Sequence, residues 1–451
     1  MKSITLSRLP PVVYLLCAAG LAGLYLMQPV LKPFLPTWSR DPLASRRSLG
    51  QISFSKANAS EAEQLGVQAF AKGDYAEAAQ QFEQATQSSV TDPIPVIYAE
   101  NARWLESPHL KVAAMVPLGS NREVALEMLR GLALTQRAYN RGPQKVVIEI
   151  FNDDNDPELA DAIANKIVAD PDIKVVIGPN ASNAALKAGP IFNAAGLVMI
   201  TPTSFANELS GSGDSIFRTT PSIRYLADTL ADYSVRQVRR KKVAVCYDSD
   251  AADNLSFKEE FVNSLLKQGG TYVRTDCNFA APDFDAKTMV TALISDGADA
   301  VLLTPHIDRL DRLIDLSREN KWRMVLLGSP SLETQKILDI GQGDLNGVVI
   351  PVPYHADMPT AQGFVNTVKQ KFRVTPTWRT FASADALHAV LSVGDRNTSR
   401  QDFQQRLRAP TFQVKGAAET IRFLPTGDRI GNGVLAQIRP QSEGYSFQML
   451  D

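Results

Sequence analysis

Residues 175–209, VVIGPNASNAALKAGPIFNAAGLVMITPTSFANEL, admit few folds. Val175, Val176 and Ile177 form an apolar run that stops at Gly178 and Pro179, the mark of a short strand buried on both faces. Asn180, Ser182 and Asn183 offer N-cap oxygens ahead of residues 184–192, where Ala185, Ala188 and Phe192 recur at helical spacing. Gly196 closes that helix, and a second buried strand over 197–200 breaks at Thr201 and Pro202 into a polar loop, 203–207. The unit is βαβ. In an open parallel sheet, ligands sit beyond the carboxyl ends of the strands, where both loops lie. The loop after Gly178 also opens a helix, whose free N–H groups and positive dipole end favour a carboxylate or another anion. Ser182, Thr201, Thr203 and Ser204 serve equally as caps and turn formers, so this stretch alone leaves binding and structure both open.

The pattern extends in both directions. A strand over 111–116, a helix over 123–139 and a strand over 146–151 lead to the acidic turn 152–157. That turn lacks the glycine and distal glutamate of a calcium loop, and Asp156-Pro157 reads as N-cap and first helical residue of a helix over 160–169. Such alternation implies a doubly wound parallel sheet. Beyond a crossing segment, 216–221, and a helix, 226–238, the pattern restarts. Strands are expected at 242–247, 272–276, 300–303 and 324–327, with helices at 257–268, 286–295 and 310–320. Residues 348–352 begin a return, followed by helices over 361–372 and 381–391. Residues 421–424 and 433–438 read as a hairpin joined by PTGDRIGN.

With 451 residues, 44% of them hydrophobic, the chain can fill two or three domain cores. Its net charge of −1 lacks the basic footprint of a nucleic-acid binder, so no nucleic-acid partner is expected. The three cysteines form no CxxC and no Cys/His cluster, so neither a structural zinc nor any other metal is expected. Cys246 and Cys277 fall at ends of expected strands and can pair in an oxidising compartment; two buried free thiols are the expectation. There is no P-loop or nucleophile elbow, and the four histidines are scattered, so no enzyme and no cofactor are expected. His306 alone stands at a strand's carboxyl end, as a cleft or surface hydrogen bonder.

Residues 11–30, PVVYLLCAAGLAGLYLMQPV, carry no charge over about the length of a membrane-spanning helix, and Lys2 and Arg8 precede them. Apolar residues continue past the small-residue steps where cleavage would be sought, which favours a retained signal-anchor with the bulk of the chain exported. A Pro/Ser/Arg-containing linker follows. From Glu61, the sequence EAEQLGVQAFAKGDYAEAAQQFEQA resembles one tetratricopeptide helix pair, with Leu65, Gly66, Phe70, Gly73, Tyr75, Ala78, Phe82 and Ala85 at its positions. A single such pair cannot bury its own face, so it should lean on a helix over 94–105 or on a partner.

The run from VVIEIFNDDNDPELADAIANKIVADPDIK through the βαβ stretch, then IFRTTPS, then KKVAVCYDSDAADN ahead of a helix, resembles periplasmic binding proteins of the type I fold. The likeness points to the leucine/isoleucine/valine-binding group of ABC importer receptors; it runs from Lys111 onward and fades after about Phe279. It implies two doubly wound α/β lobes joined by three crossings and closing on one small solute, with a membrane permease as partner. The expected segments are a membrane anchor (1–36), a linker (37–57) and a helical hairpin (58–107). Lobe one then takes 108–220 with 348–428, and lobe two takes 221–347 with 429–451. Hinges are expected near Pro221 and Gly347.

In such receptors the loops matching Ala181-Ser182 and Thr203-Ser204-Phe205 grip the carboxylate and ammonium of an amino acid. Phe205 stands where the family typically has a threonine, removing a charge-assisted hydrogen bond worth about 1.5–3 kcal/mol. Ala252 replaces an aromatic contact, and His306 lies near another. Pro330 takes the place of the ammonium-binding acid, leaving Glu333 or Asp250 as its stand-in. The resemblance thus implies an extracytoplasmic binding protein for an amino-acid-like or carboxylate-bearing solute. A bilobal interaction or regulatory protein that has lost its ligand is the alternative.

Overall fold

The computed structural model describes residues 41–55 and 59–450. The expected membrane span, 11–30, lies outside the described residues; among these, no helix is long and apolar enough to cross a membrane. Residues from Ser45 onward form one compact unit.

Its first sheet comprises β1 (Arg47–Ser48), β2 (Leu110–Val116), β3 (Val146–Asn152), β4 (Ile173–Ile177), β5 (Val198–Thr201) and β6 (Ile216–Pro221). The second is built on β7 (Lys242–Tyr247), β8 (Thr271–Asn278), β9 (Ala300–Thr304), β10 (Val325–Gly328) and β11 (Val349–Val352). Near the carboxyl end come a small hairpin of β12 (Val414–Lys415) and β13 (Thr420–Ile421), then β14 (Asp428–Arg429), β15 (Val434–Pro440) and β16 (Tyr445–Met449). The sheet orders are β1-β3-β2-β4-β5-β6-β14 and β16-β15-β11-β10-β9-β7-β8, with every pairing parallel except β1 with β3, β11 with β15 and β15 with β16. This is the expected pair of doubly wound lobes. β2, β4 and β5 are apolar and buried on both faces because helices cover the sheet on each side.

Four expectations are corrected. Val348 to Val352 does not return to lobe one: β11 pairs with β10 and β15, so the second crossing follows Val352 rather than lying near Gly347. The closing hairpin does not form. Residues 420–421 pair with β12, β15 joins the other lobe, and the connecting segment holds β14, which runs parallel to β6. The stretch read as a solvated linker packs instead. β1 pairs with β3, and Phe54 is buried, because the outer edge of β3 offers unpaired backbone groups and an apolar flank. Finally, Cys246 and Cys277 form a disulfide, since β7 and β8 are adjacent and place those two residues opposite each other.

Helices Glu61–Ala71 and Tyr75–Ser88 lie in sequence ahead of lobe one; Gly66 lets Phe82 approach so closely that a Cβ there would sit 2.7 Å from the ring. They lean on helix Ile94–Trp104, which is buried almost throughout and shares one apolar cluster with lobe one. The contact is polar as well. Asn101 accepts from the Ile148 N–H (2.9 Å) and donates to the Ile148 carbonyl (2.7 Å), as a neighbouring strand would. Asn140 does the same for Val146, at 2.8 and 3.1 Å. Two asparagine amides therefore complete the β3 edge that β1 leaves uncovered.

Replacing Cys246 and Cys277 together by Ser should lower stability by about 3–4 kcal/mol, the expectation for opening a closure of this size. Urea unfolding of oxidised wild type and variant measures the difference.

Candidate functional site

Where β4 ends, Gly178 has φ +105°, and a Cβ would meet the Met115 carbonyl oxygen at 2.2 Å, so only glycine fits. The chain then turns through Pro179 and Asn180, whose carbonyls bind the next loop: Thr201 Oγ1 donates to Pro179 O (2.9 Å), and Thr203 Oγ1 and Ser204 Oγ donate to Asn180 O (3.0 and 3.1 Å). Ser182 Oγ accepts from the Phe205 and Ala206 N–H groups at 3.1 and 3.2 Å. The two loops at the sheet's carboxyl edge are one rigid unit. Helix Ser182–Ala194 begins there with Ala181 as N-cap, so no side chain caps its first-turn amides.

These loops face lobe two across a small cavity of about 80 Å³. Ala181, Ser182, Thr203, Phe205 and His306 all line it, together with Asp253, Asn254, Ser331, Trp378 and Arg379. Ser204 lies behind its loop, fully buried. The lobes also touch directly. Asn183 donates to Asp250 O (2.9 Å) and accepts from the Ala252 N–H (3.1 Å); the Asn207 N–H donates to Ser256 Oγ (3.0 Å). Phe205 packs on Trp378 with ring centroids 5.2 Å apart, narrowing the cavity where the family pattern has a hydroxyl.

Two expected carboxylates stand elsewhere. Asp250 is 64% exposed and paired with Arg309 at 2.9 Å, on the rim. Glu333 is buried beyond Trp378, accepts from the Trp378 N–H (3.3 Å), and faces a wider groove of about 1090 Å³ that includes Glu123 and Glu127. Burial raises its carboxyl to about 8, against the pull of Arg379 and the Trp378 amide, so it is neutral at physiological pH. Arg379 itself is occupied by the Ser331 carbonyl (3.0 Å) and Glu127 (3.3 Å).

The carboxylate that does reach the cavity is Asp253, in the first turn of helix Ala252–Lys267. Burial raises its pKa, and His306 offsets part of that. Its signal was present in SDAADN, a carboxylate just past an expected strand end. Trp378 and Arg379 gave no such signal: they lie at the start of helix Trp378–Val393, three residues ahead of its expected start, and reach the cavity through tertiary packing alone.

Because Glu333 is neutral when folded and ionises near 4.5 when unfolded, folding takes up a proton. Its contribution is fully present below pH 4.5 and is lost as pH rises towards 8. Glu333→Gln should therefore gain stability relative to wild type between about pH 5 and pH 8, by more than about 1 kcal/mol. Urea midpoints at the two pH values test the sign.

Residues 111–444 match the family model described as periplasmic binding protein. The Leu/Ile/Val/Thr-binding protein of Salmonella typhimurium is 28% identical over 258 residues, 56% of this chain and 69% of that protein. The Leu/Ile/Val-binding protein of Escherichia coli K12 is 27% identical over the same shares. Among solved structures, the leucine-binding protein LivK of Thermotoga maritima aligns with a TM-score of 0.66 at 19% identity, over 75% of this chain and 97% of its own. A solute-binding protein of R. palustris in complex with benzoate aligns with 0.66 at 18%, over 76% and 96%. At such identities the solved structures establish the fold alone. These relatives are solute-binding proteins of transporters, not enzymes. With the family model spanning most of its length, the chain belongs to the periplasmic binding protein family.

Proposed function

We propose that the chain is the extracytoplasmic solute-binding protein of an ABC-type importer and closes on a small amino-acid-like solute. The observation that carries this reading is the pairing of opposite chemistries across one interlobe cavity. The uncapped amides at Ser182 suit a carboxylate, and Asp253 on the facing lobe suits an ammonium. In this assignment Asp253 takes the role first assigned to Glu333 or Asp250. The relatives named for binding leucine, isoleucine and valine support the ligand class, and those holding benzoates support the carboxylate half of it. Residues 11–30 are proposed as the membrane anchor and a permease as the partner. The buried Cys246–Cys277 disulfide fits an oxidising compartment outside the cytoplasm. Helices Glu61–Ala71 and Tyr75–Ser88 are proposed as a tetratricopeptide-like pair.

A second reading, a bilobal interaction protein without a solute, is favoured by one observation. The cavity of about 80 Å³ is well below the 300 Å³ and more usual for a ligand pocket, so solute entry requires the lobes to part. Calorimetry against amino acids and against aliphatic and aromatic carboxylates separates the two. The receptor reading expects at least one ligand whose affinity Asp253→Asn lowers about tenfold or more if it carries an ammonium, and changes little if it does not. A null across the whole panel overturns the receptor reading in favour of the second.

A further inference from the structure

The edge of lobe two opposite the cleft carries a cationic strip with an exposed tryptophan among its members. Backbone hydrogen bonds set its members in line. Thr271 N–H binds Lys241 O (2.7 Å), Asp299 N–H binds Lys242 O (2.8 Å), and Val325 N–H binds Asp299 O (3.1 Å). The amino-terminal ends of β7, β8, β9 and β10 therefore share one rim. Residues 239–242 are Arg, Arg, Lys and Lys, all exposed; Lys321 and Arg323 precede β10, and Arg439 closes antiparallel β15 at the same rim. The acid within these segments is Asp299, half-buried, with its carboxylate accepting the Lys242 N–H at 3.1 Å.

Trp322 lies among them at 68% exposure, its ring against the Gly347 backbone, where an added Cβ would be 3.6 Å away. Lys321 and Trp322 are consecutive left-handed residues, with φ 48° and 61°. An indole serving the core would be buried, and a bulky residue rarely takes that backbone region. This one is instead presented outward beside a row of cations.

We infer that this rim docks on the surface of a phospholipid bilayer containing anionic headgroups. Lysine and arginine side chains are drawn to a negative lipid surface, and an amphipathic indole settles at headgroup depth. Charge complementarity makes the choice: the strip is long and predominantly cationic, and residues 239–242 form no ion pair among the described residues, the one acid within the rim segments being the half-buried Asp299. The inference is independent of which solute is bound.

The test uses residues 45–451, which contain both cores and every described strand and form one compact unit, and which lack the apolar stretch 11–30 that would insert by itself. Sedimentation with phosphatidylcholine vesicles and with vesicles containing about a third phosphatidylglycerol should show binding to the anionic ones only, weakening as salt rises. Reversal of residues 239–242 to Glu should lower the partition coefficient at least about tenfold, with thermal unfolding confirming an intact fold. Trp322→Phe should abolish a blue shift in emission on vesicle addition. Equal binding to neutral vesicles, binding unaffected by the reversal, an emission shift that persists in the Phe variant, or capture by soluble polyglutamate but not by vesicles would each overturn the inference.

Discussion

Two adjacent residues of opposite charge hold the two lobes to their common hinge. Asp428 and Arg429 make up β14, and each is buried with a different partner: Arg218 of β6 grips Asp428 at 2.5 Å, while Arg429 pairs with Asp385 of helix Trp378–Val393. Tyr354, just past the second crossing, donates to the same Asp385 carboxylate at 2.9 Å. Burial holds Asp385 well above the usual carboxylate range and lowers Arg429 to about 9, so desolvation strains both sides of the pair, and loss of either partner would strand a charge in the core. All three crossings meet at this network. The bilobal geometry, and with it the cavity between the lobes, depends on that junction keeping its register.

The cavity follows from the same arrangement. Parallel strands send their carboxyl ends toward the opposing lobe, so the loops after β4 and β5 face the first turn of the helix after β7. Hydroxyls that a sequence reader assigns to ligand binding are here largely spent on loop architecture: Ser182 accepts two amides, and Thr203 and Ser204 donate to one carbonyl. What stays directed into the gap is backbone N–H on one side and Asp253 on the other. Phe205 and Trp378 supply an apolar wall between them.

Most of the architecture was legible because strands buried on both faces read as unbroken apolar runs and helices between them as periodic ones. β4, β5, β7 and the helices Ala286–Ser295 and Leu310–Asn320 were recoverable from that contrast alone. The failures share a cause. β14 is two charged residues with no pattern, β1 is two residues inside a polar stretch, and β11 was assigned by chain position where pairing decides. The cavity was half legible: the lobe-one loops and His306 were, whereas Glu333 was misplaced by its proximity in sequence to the family's acid. Trp378 and Arg379 enter through packing across more than forty residues of intervening chain. The disulfide likewise depended on strand adjacency, which spacing does not reveal.

The asparagine amides bound to Ile148 and Val146 bear on how such a chain is assembled from parts. Because helix Ile94–Trp104 completes the hydrogen bonding of a neighbouring strand, the segment ahead of lobe one is no detachable cassette. Excising it from this chain would leave a sheet margin without its polar partners and open to recruitment by other chains, so a shortened form would have to cover that margin by some other means.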